Sequence, residues 1–290
     1  SSSQSVTAVD GTLAPGLQTL AKWGTSRGLV VLEKGAALYG GGNVVGRRVA
    51  LPWGGSSFDF TTLTTDGKTL MRRAIEWAAA DPGTPVLYVA RDADTPTDQE
   101  AARFTLLESW GYSTILIDDD ASQADYDAAI SGVNVAYVCE EILSTGLGTK
   151  LTGAGIGVVS EESALTDELG ISSSSSVGSE SALDVVEVEH YITSPFAIGS
   201  LTIFDSPQSS VALTGNLAPK LHTLGQWGSD PGLATLEAAA KTYDGNFAAG
   251  RRVQLPWGGS DFDINALNSN GQTIMKRAIE WAGGLAGHWR

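Results

Sequence analysis

The hydrophobic and polar positions of residues 82–210 alternate between short apolar runs and amphipathic stretches. Apolar runs typical of buried strands lie at residues 85–90, 113–117, 133–139 and 155–159. Between them, helical periodicity predicts helices over residues 97–110 and 123–130. Strands and helices that alternate at this spacing indicate right-handed crossovers, and therefore an α/β fold with a parallel sheet and helices on both faces.

The pattern changes after the last of these strands. A run of serines at residues 172–176 predicts an exposed loop. Residues 185–192 and 201–204 are apolar enough to predict two further strands. A repeated segment begins shortly after them.

Residues 8–79 and 212–283 are two copies of one module. They align without a gap at a constant offset of 204, with roughly half of the positions identical. The longest identical stretches are residues 51–56 with 255–260 and residues 73–78 with 277–282. The sequence between the copies, residues 82–210, occurs only once. We therefore predict that residues 1–81 form a partial module and that residues 82–290 form a complete domain.

The sequence of each module predicts four secondary-structure elements. They are a helix at residues 13–23 (217–227), a strand at 28–37 (232–241), a strand at 47–52 (251–256) and a closing helix at 69–79 (273–283). In the first closing helix Leu70, Ala74 and Trp77 share one apolar face, which must lie on a sheet. The second copy has a partner upstream, the parallel sheet predicted for residues 82–159. The first copy has no such partner in this chain, unless it packs on the second copy or on the far side of the same sheet.

This uncovered face predicts that several large side chains serve packing or assembly. They are Trp23, Trp53, Leu70, Trp77, Trp227, Trp257 and Trp281.

Composition narrows the function classes. With 42% hydrophobic residues in 290, the chain can build sizeable cores. Its net charge of −15 argues against binding of nucleic acid or of an anionic membrane surface, because both need clustered cations. No apolar run approaches the ~18 residues that span a bilayer, so no membrane insertion is expected. The single cysteine, Cys139, allows neither an intrachain disulfide nor a zinc site with two cysteines.

The location of the protein is also suggested by the sequence. There is neither an initiator Met nor a signal peptide, which predicts a piece excised or processed from a longer protein. Few lysines, many Ser, Thr and Gly residues and a pI near 4.5 favour an extracellular or cell-surface protein. An acidic cytosolic protein is the alternative.

Residues 85–281 resemble the ThuA-like branch of the class I glutamine-amidotransferase-like superfamily. The order of strands and helices is similar, and residues 189–193 (Glu-His-Tyr-Ile-Thr) resemble the family's His-Pro-Ile-Thr type segment. Residues 250–253, Gly258 and residues 277–282 resemble its closing Gly-Arg-Val strand, Gly turn and Arg-Ala-Ile-x-Trp-Ala helix. The resemblance implies a flavodoxin-like fold, of which residues 1–81 match only the second half.

The catalytic cysteine of the amidotransferases has no counterpart here. The turn that matches its position, residues 159–162, reads Val-Ser-Glu-Glu, and Cys139 lies one strand earlier without an adjacent histidine. A Cys-His hydrolase is therefore not expected, as in the ThuA-like branch generally.

Acidic residues follow several of the predicted strands. Ligands bind beyond the carboxyl ends of strands in an open parallel sheet. Asp92, Asp94 and Glu140 could hold Ca²⁺ or Mg²⁺, and Glu161 could join His190 as an acid/base pair. The competing interpretation is that the acids cap helices and are solvated, and that the histidine is merely hydrogen-bonded.

Both modules also place an Arg pair near a Trp. Arg47, Arg48 and Trp53 have the counterparts Arg251, Arg252 and Trp257, a set that could bind carbohydrate. Because the set recurs together with the core helix, bracing of the fold is the alternative, with an Arg paired to Asp59 or Asp263.

Two hypotheses of function result. The first is a non-catalytic structural or adhesion repeat of a secreted or surface protein, which assembles through its first module into a head-to-tail homo-oligomer or filament without a cofactor. The second is a carbohydrate-active ThuA-like enzyme that uses Asp92, Asp94, Glu140 and Glu161 with His190, with or without a divalent cation.

Overall fold

The computed structural model describes residues 5–33, 36–42, 44, 46–55, 58–79 and 84–285. The protein is a mixed α/β protein. Its contacts divide it into two compact units, residues 1–84 with 110–113 and residues 85–109 with 114–290.

The first unit contains an antiparallel sheet of three strands in the order β1-β2-β3, followed by a helix. These elements are β1 (Gln18–Trp23), β2 (Ser26–Leu32), β3 (Arg48–Ala50) and α1 (Thr65–Ala79). A tight turn joins β1 to β2 with Trp23 paired to Ser26, and Gly24 adopts φ 57°, which a glycine tolerates without strain.

The helix predicted at residues 13–23 is wrong in the first module, and so is its equivalent at residues 217–227. Both segments contain strands that form hairpins with the strand that follows. Leu13, Leu17 and Leu20 mimic helical spacing. However, Pro15 and Gly16 interrupt the first segment, and cross-strand pairing decides the outcome.

The second unit begins with the strands and helices that the apolar pattern predicts. They are β4 (Thr84–Ala90), α2 (Asp98–Ser109), β5 (Tyr112–Asp118), α3 (Gln123–Ile130), β6 (Val135–Val138), a short α4 (Ser144–Leu147) and β7 (Gly157–Ser160). Residues 86–90, 135–138 and 158–159 are fully buried, which is why their sequence is almost continuously apolar.

The rest of the second unit is mostly antiparallel. It comprises β8 (Ser172–Glu180), β9 (Ala182–Val185), β10 (Gly199–Thr202), β11 (Gln208–Leu217), β12 (His222–Trp227), β13 (Asp230–Leu236), β14 (Arg252–Gln254) and α5 (Ser269–Ala282).

Two further sequence predictions fail in this region. The serine run at residues 172–176 is not a loop, because it forms part of β8 and pairs antiparallel with β11. Most of β8 is exposed, so a polar sequence suffices once the partner strand satisfies the backbone. The strand predicted at residues 185–192 ends at Val185, and residues 191–195 form a turn.

The large sheet has nine strands in the order β10-β9-β12-β13-β14-β7-β6-β4-β5. The pairs β14–β7, β7–β6 and β6–β4 are parallel. The pairs from β10 to β14 are antiparallel, so the sheet is mixed rather than wholly parallel. Helix α5 packs on β7, β6 and β14.

The two copies of the repeat fold with the same strand pairing. Trp23 faces Ser26 as Trp227 faces Asp230. The pairing of β2 with β3 is likewise repeated between β13 and β14, three pairs in each. Comparison of equivalent residues is therefore a comparison of like positions.

An arginine joins the closing helix to the sheet in each module. Nε of Arg251 lies 3.0 Å from Glu237, its Nη1 donates to the Trp281 carbonyl, and its guanidinium lies 4.6 Å from the centroid of the Trp281 ring. Arg47, Glu33 and Trp77 repeat this arrangement at 3.0 and 4.8 Å. Glu33 thus contacts Arg47 as Glu237 contacts Arg251, and the brace ties the closing helix to its own sheet.

Candidate functional site

Glu161 lies at the centre of a buried polar cluster at the carboxyl end of β7. Its side chain is fully buried. Oε2 accepts from Nε of Arg103 at 2.9 Å and from the backbone N–H of Glu140 at 3.3 Å. Oε1 accepts from the Tyr137 hydroxyl and, at 2.9 Å, from the indole N–H of Trp257. Both oxygens are therefore occupied by protein donors.

Arg103, on α2, is as deeply buried as the acid that it contacts. Its Nη2 also lies 2.8 Å from Oε2 of Glu161, and its guanidinium lies 5.5 Å from the centroid of the Phe262 ring. Burial is the largest single effect on the pKa of Arg103 and would lower it, but the carboxylate of Glu161 together with the nearby Tyr and Cys side chains raises the pKa above its ordinary value. Both partners are fully enclosed, an arrangement typical of a structural ion pair.

Glu140, at the end of β6, is the one predicted site acid with an unsatisfied atom. It is 6% exposed, and its Oε2 has no hydrogen-bond partner among the described residues. Burial, and then the negative charge of Glu161, raise the pKa of Glu140 to about 8. A raised pKa favours the protonated form of Glu140, in which the group can donate a proton.

Asp92 and Asp94 lie in an exposed turn after β4. The carboxylate of Asp92 accepts the backbone N–H groups of Asp94 at 2.9 Å and Thr95 at 3.1 Å. The Thr95 side chain and backbone hydrogen bonds lower the pKa of Asp92. Among residues that the structure describes, no three His, Cys, Asp or Glu side chains are grouped to hold a metal ion. Asp92, Asp94 and Glu140 are therefore not brought together as ligands.

His190 lies at the other end of β7 from Glu161. Its ring is 5.0 Å from the ring of Trp281, near the end of α5, and the carbonyl of the next residue, Ala282, abuts Gly157 at the start of β7. Nδ1 of His190 accepts the backbone N–H of Ile192, and burial lowers its pKa to about 4. Since Glu161 follows the last residue of β7, the two do not form a single acid/base site.

The thiol of Cys139 is enclosed as well. Its Sγ lies 3.4 Å from the carbonyl oxygen of Val89, and burial raises its pKa. A thiol with a raised pKa is a poor nucleophile. Of the described non-glycine residues, only Ala239 has a positive φ, so residues 159–162 form no strained turn of that kind.

Sequence reasoning missed Arg103 and Tyr137. A signal for the arginine exists, because Glu100, Arg103 and Leu107 recur at helical spacing and all three are buried in α2. A charged residue on the apolar face of a helix indicates a buried partner.

The second candidate site is an exposed face of the first module, called here the open face. It comprises the outer edge of β3 and the apolar side chains Leu20, Phe60 and Ile75. These side chains are 60, 51 and 57% exposed, whereas their counterparts Leu224, Ile264 and Ile279 are 0, 4 and 0% exposed. Three positions that belong to the core in the second copy are therefore exposed in the first.

The residues predicted to serve packing or assembly differ between the copies in the same sense. Trp257 and Trp281 are buried, whereas Trp53 and Trp77 are half-buried. Leu70 is half-buried, although its counterpart Ile274 is fully buried. Trp23 is exposed and Trp227 half-buried, with its indole N–H donating to the carbonyl of Pro256.

The predicted carbohydrate platform is not formed in the second module. Trp257 is enclosed beside Glu161, Arg251 stacks on Trp281, and Arg252 is buried. Each of these three side chains makes its own separate interaction, so they do not form a shared exposed surface.

Comparisons with models of known protein families and with curated proteins found no match for this chain. Within the described residues, no helix is both long and apolar enough to cross a bilayer.

Proposed function

We propose that the chain is a non-catalytic structural or adhesion repeat of a secreted or surface protein, and that the open face joins it to neighbouring copies or repeats. In this proposal residues 82–290 form a complete flavodoxin-like, ThuA-like domain, and residues 1–81 form the closing half of another. The observation that carries the proposal is the contrast between Ile75, 57% exposed, and Ile279, fully buried at the same position.

The energetics favour a covered open face. Complete burial of one large aliphatic or aromatic side chain is worth about 1.5–3 kcal/mol relative to exposure. Leu20, Phe60 and Ile75 each remain more than half exposed. Contiguous apolar patches on a protein surface mark interaction sites. Association that covers this face would recover the burial that the second copy already has.

The polar cluster supports a non-catalytic role. Both carboxylate oxygens of Glu161 accept hydrogen bonds from buried donors, and His190 lies at the opposite end of β7. A general base must reach the proton that it abstracts, and Glu161 is fully buried.

The sugar-acting alternative draws on Glu140, whose raised pKa suits a general acid. It is tested by screening glycoside turnover with and without added Ca²⁺ or Mg²⁺. Turnover that Glu140→Gln abolishes would support the enzyme. Its absence in the wild-type chain, or its insensitivity to Glu140→Gln, Glu161→Gln and His190→Ala, would count against this alternative.

The assembly proposal is tested by sedimentation velocity of the full chain over a wide concentration range. We expect concentration-dependent association that is abolished in Leu20→Asp/Ile75→Asp. The matched control is Phe247→Asp, because Phe247 is 70% exposed but lies outside the open face. A wild-type chain that stays monomeric throughout, or a control that dissociates as fully as the double variant, would contradict self-assembly.

A further inference from the structure

We infer that the open face is shaped for one kind of partner, an uncovered parallel α/β half of the type formed by residues 84–211 of this chain. The inference rests on the proposed function, in which the open face is an assembly surface, and it names the chemistry of what docks there. The second unit provides the template, because its own module covers such a half.

The first feature is the strand edge. In the second unit β14 pairs in parallel with β7, with Arg252 opposite Val158 and Gln254 opposite Ser160. Its counterpart β3 is the last strand of a three-stranded sheet. An edge strand presents unpaired N–H and C=O groups to a further strand. The partner supplies a parallel strand to β3.

The second feature is charge complementarity at Arg48. Its counterpart, Arg252, is 1% exposed and donates to the carbonyl oxygens of a turn ahead of β7. These acceptors are the carbonyls of Leu151, Thr152, Ala154 and Ile156. Arg48 is exposed and makes no side-chain hydrogen bond or ion pair within the described part of the chain. The same guanidinium is therefore available for an equivalent ring of carbonyls.

The third feature is a set of side chains that bind the Arg103–Glu161 pair. In the second unit, the Trp257 indole N–H donates to Glu161 and the Phe262 ring lies beside Arg103. The first module has Trp53 and Phe58 at these positions, stacked at 6.3 Å as Trp257 and Phe262 are stacked at 6.0 Å. The partner is therefore expected to present a buried Glu–Arg pair of this kind.

The glycine at position 46 is a further indication of a docked partner. A Cβ on its counterpart Gly250 would lie 2.1 Å from the carbonyl oxygen of Ile156, so the close approach of the half requires glycine there. A Cβ on Gly46 would meet nothing within 4 Å, and its φ is not positive. Nothing in the first module itself requires glycine at this position, whereas a docked half would.

Residues 5–13, where the first module begins, also lack a partner strand among the residues that the structure describes. Residues 208–217 form β11, which pairs with β8 of the half. The equivalent residues 5–13 form only the isolated bridges Val6–Trp53 and Val9–Arg27. The first of these matches the bridge Ser210–Trp257 of the second unit. Residues 5–13 thus keep the position that β11 has relative to the second module. No counterpart of β8 pairs with them within the described residues.

One position differs and refines the partner. A Cβ on Gly225 would lie 2.5 Å from Leu183 in β9, but the equivalent residue in the first module is Ala21. A partner half that fits the open face therefore has a side chain smaller than leucine at the place of Leu183.

The test extends the full chain at its N-terminus. Residues 84–211, carrying Leu183→Ala to admit Ala21, are joined directly to Ala8, because residue 211 precedes the second module in the same register. The readout is amide hydrogen exchange of β3 and α1, compared with the original chain. We expect exchange in these elements to slow by at least about tenfold and concentration-dependent association to disappear, because the face is then covered.

Two variants of the extended chain make the test specific. Arg48→Ser should abolish the protection, because the partner carbonyls lose their cation. Arg72→Ser is the matched control, since Arg72 is 69% exposed and contacts only Glu76 of its own helix among described residues. Unchanged exchange in the extended chain, or protection that survives Arg48→Ser as fully as Arg72→Ser, overturns the inference.

The outcomes also separate the inference from the proposed function. If the original chain stays monomeric but the extended chain gains protection, self-assembly fails and the assigned partner stands. If the original chain associates through Leu20 and Ile75 but the extension gives no protection, self-assembly is supported and the assigned partner is wrong.

Discussion

Arg103 and Glu161 form an ion pair in which both side chains are fully buried, with Nε of the arginine 2.9 Å from Oε2 of the acid. The acid follows β7 and the arginine lies on α2, so the pair ties a helix to the carboxyl end of the parallel strands. Trp257 joins the same acid from the module that covers them. The pair thus links three parts of one unit through a single carboxylate.

Arg103→Met should be strongly destabilising, because it leaves the charge of Glu161 buried without its counter-ion. Loss of one partner of a buried pair costs about 3–5 kcal/mol. Urea unfolding that includes the double variant Arg103→Met/Glu161→Gln measures the effect. The double variant should recover part of the loss, since no uncompensated charge remains. A single variant as stable as wild type would show that the pair contributes little.

Stability should fall with rising pH because of Glu140. Its pKa is about 8 in the folded protein against 4.5 for an ordinary glutamate, so the folded state binds this proton more tightly. The contribution is complete below pH 4.5 and is lost as the pH rises towards 8, with a slope of up to about 1.4 kcal/mol per pH unit.

Glu140→Gln should flatten the profile of unfolding free energy between pH 5 and pH 8. Chemical denaturation at a series of pH values provides the measurement. Glu141→Gln serves as the control, because it changes an adjacent acid of the same chemistry. If both variants flatten the profile equally, the assignment to Glu140 is wrong.

His190 should have the opposite effect at acid pH. Burial lowers its pKa to about 4 from 6.5, so the folded state favours the neutral ring. Its contribution is present above pH 6.5 and is lost as the pH falls through 4. His190→Asn keeps an acceptor for the backbone N–H of Ile192 and should reduce the acid destabilisation. The two proteins should have parallel profiles above pH 7, and parallel profiles at acid pH as well would refute the assignment.

Gly250→Ala and Gly46→Ala form a matched pair. The first places a Cβ 2.1 Å from the Ile156 carbonyl oxygen and should destabilise the second unit by about 1–3 kcal/mol. The second meets open space in the first unit, so its effect should stay within about 1 kcal/mol. Hydrogen exchange resolves the two units separately. A large loss of protection from Gly46→Ala in the original chain would contradict this contrast.

The parallel strands could be predicted from the sequence because burial on both faces leaves a continuous apolar run, as at residues 86–90. The β1–β2 hairpin could not, because Leu13, Leu17 and Leu20 also satisfy helical spacing, and cross-strand pairing decided between the two. The serine strand β8 escaped prediction because its side chains are mostly exposed, so that no apolar alternation marks it.

The candidate site was predictable in part for a similar reason. The carboxylates Glu140 and Glu161 follow strands whose positions the pattern fixes. Arg103, the partner of Glu161, lies 58 residues from it in sequence, and the pairing depends on the packing of α2. The different exposure of equivalent residues in the two copies, such as Ile75 and Ile279, could not be predicted from the sequence. Identical residues in a repeat lead one to expect identical burial, and only the structure shows where burial differs.

The brace of Arg47, Glu33 and Trp77 determines how the first module would meet a partner. Because it fastens the closing helix to the module's own sheet, that helix is ordered before any encounter. Docking would then resemble the meeting of two rigid bodies, and most of the conformational entropy would already have been lost during folding of the module. Association of this kind is expected to proceed without a coupled folding step.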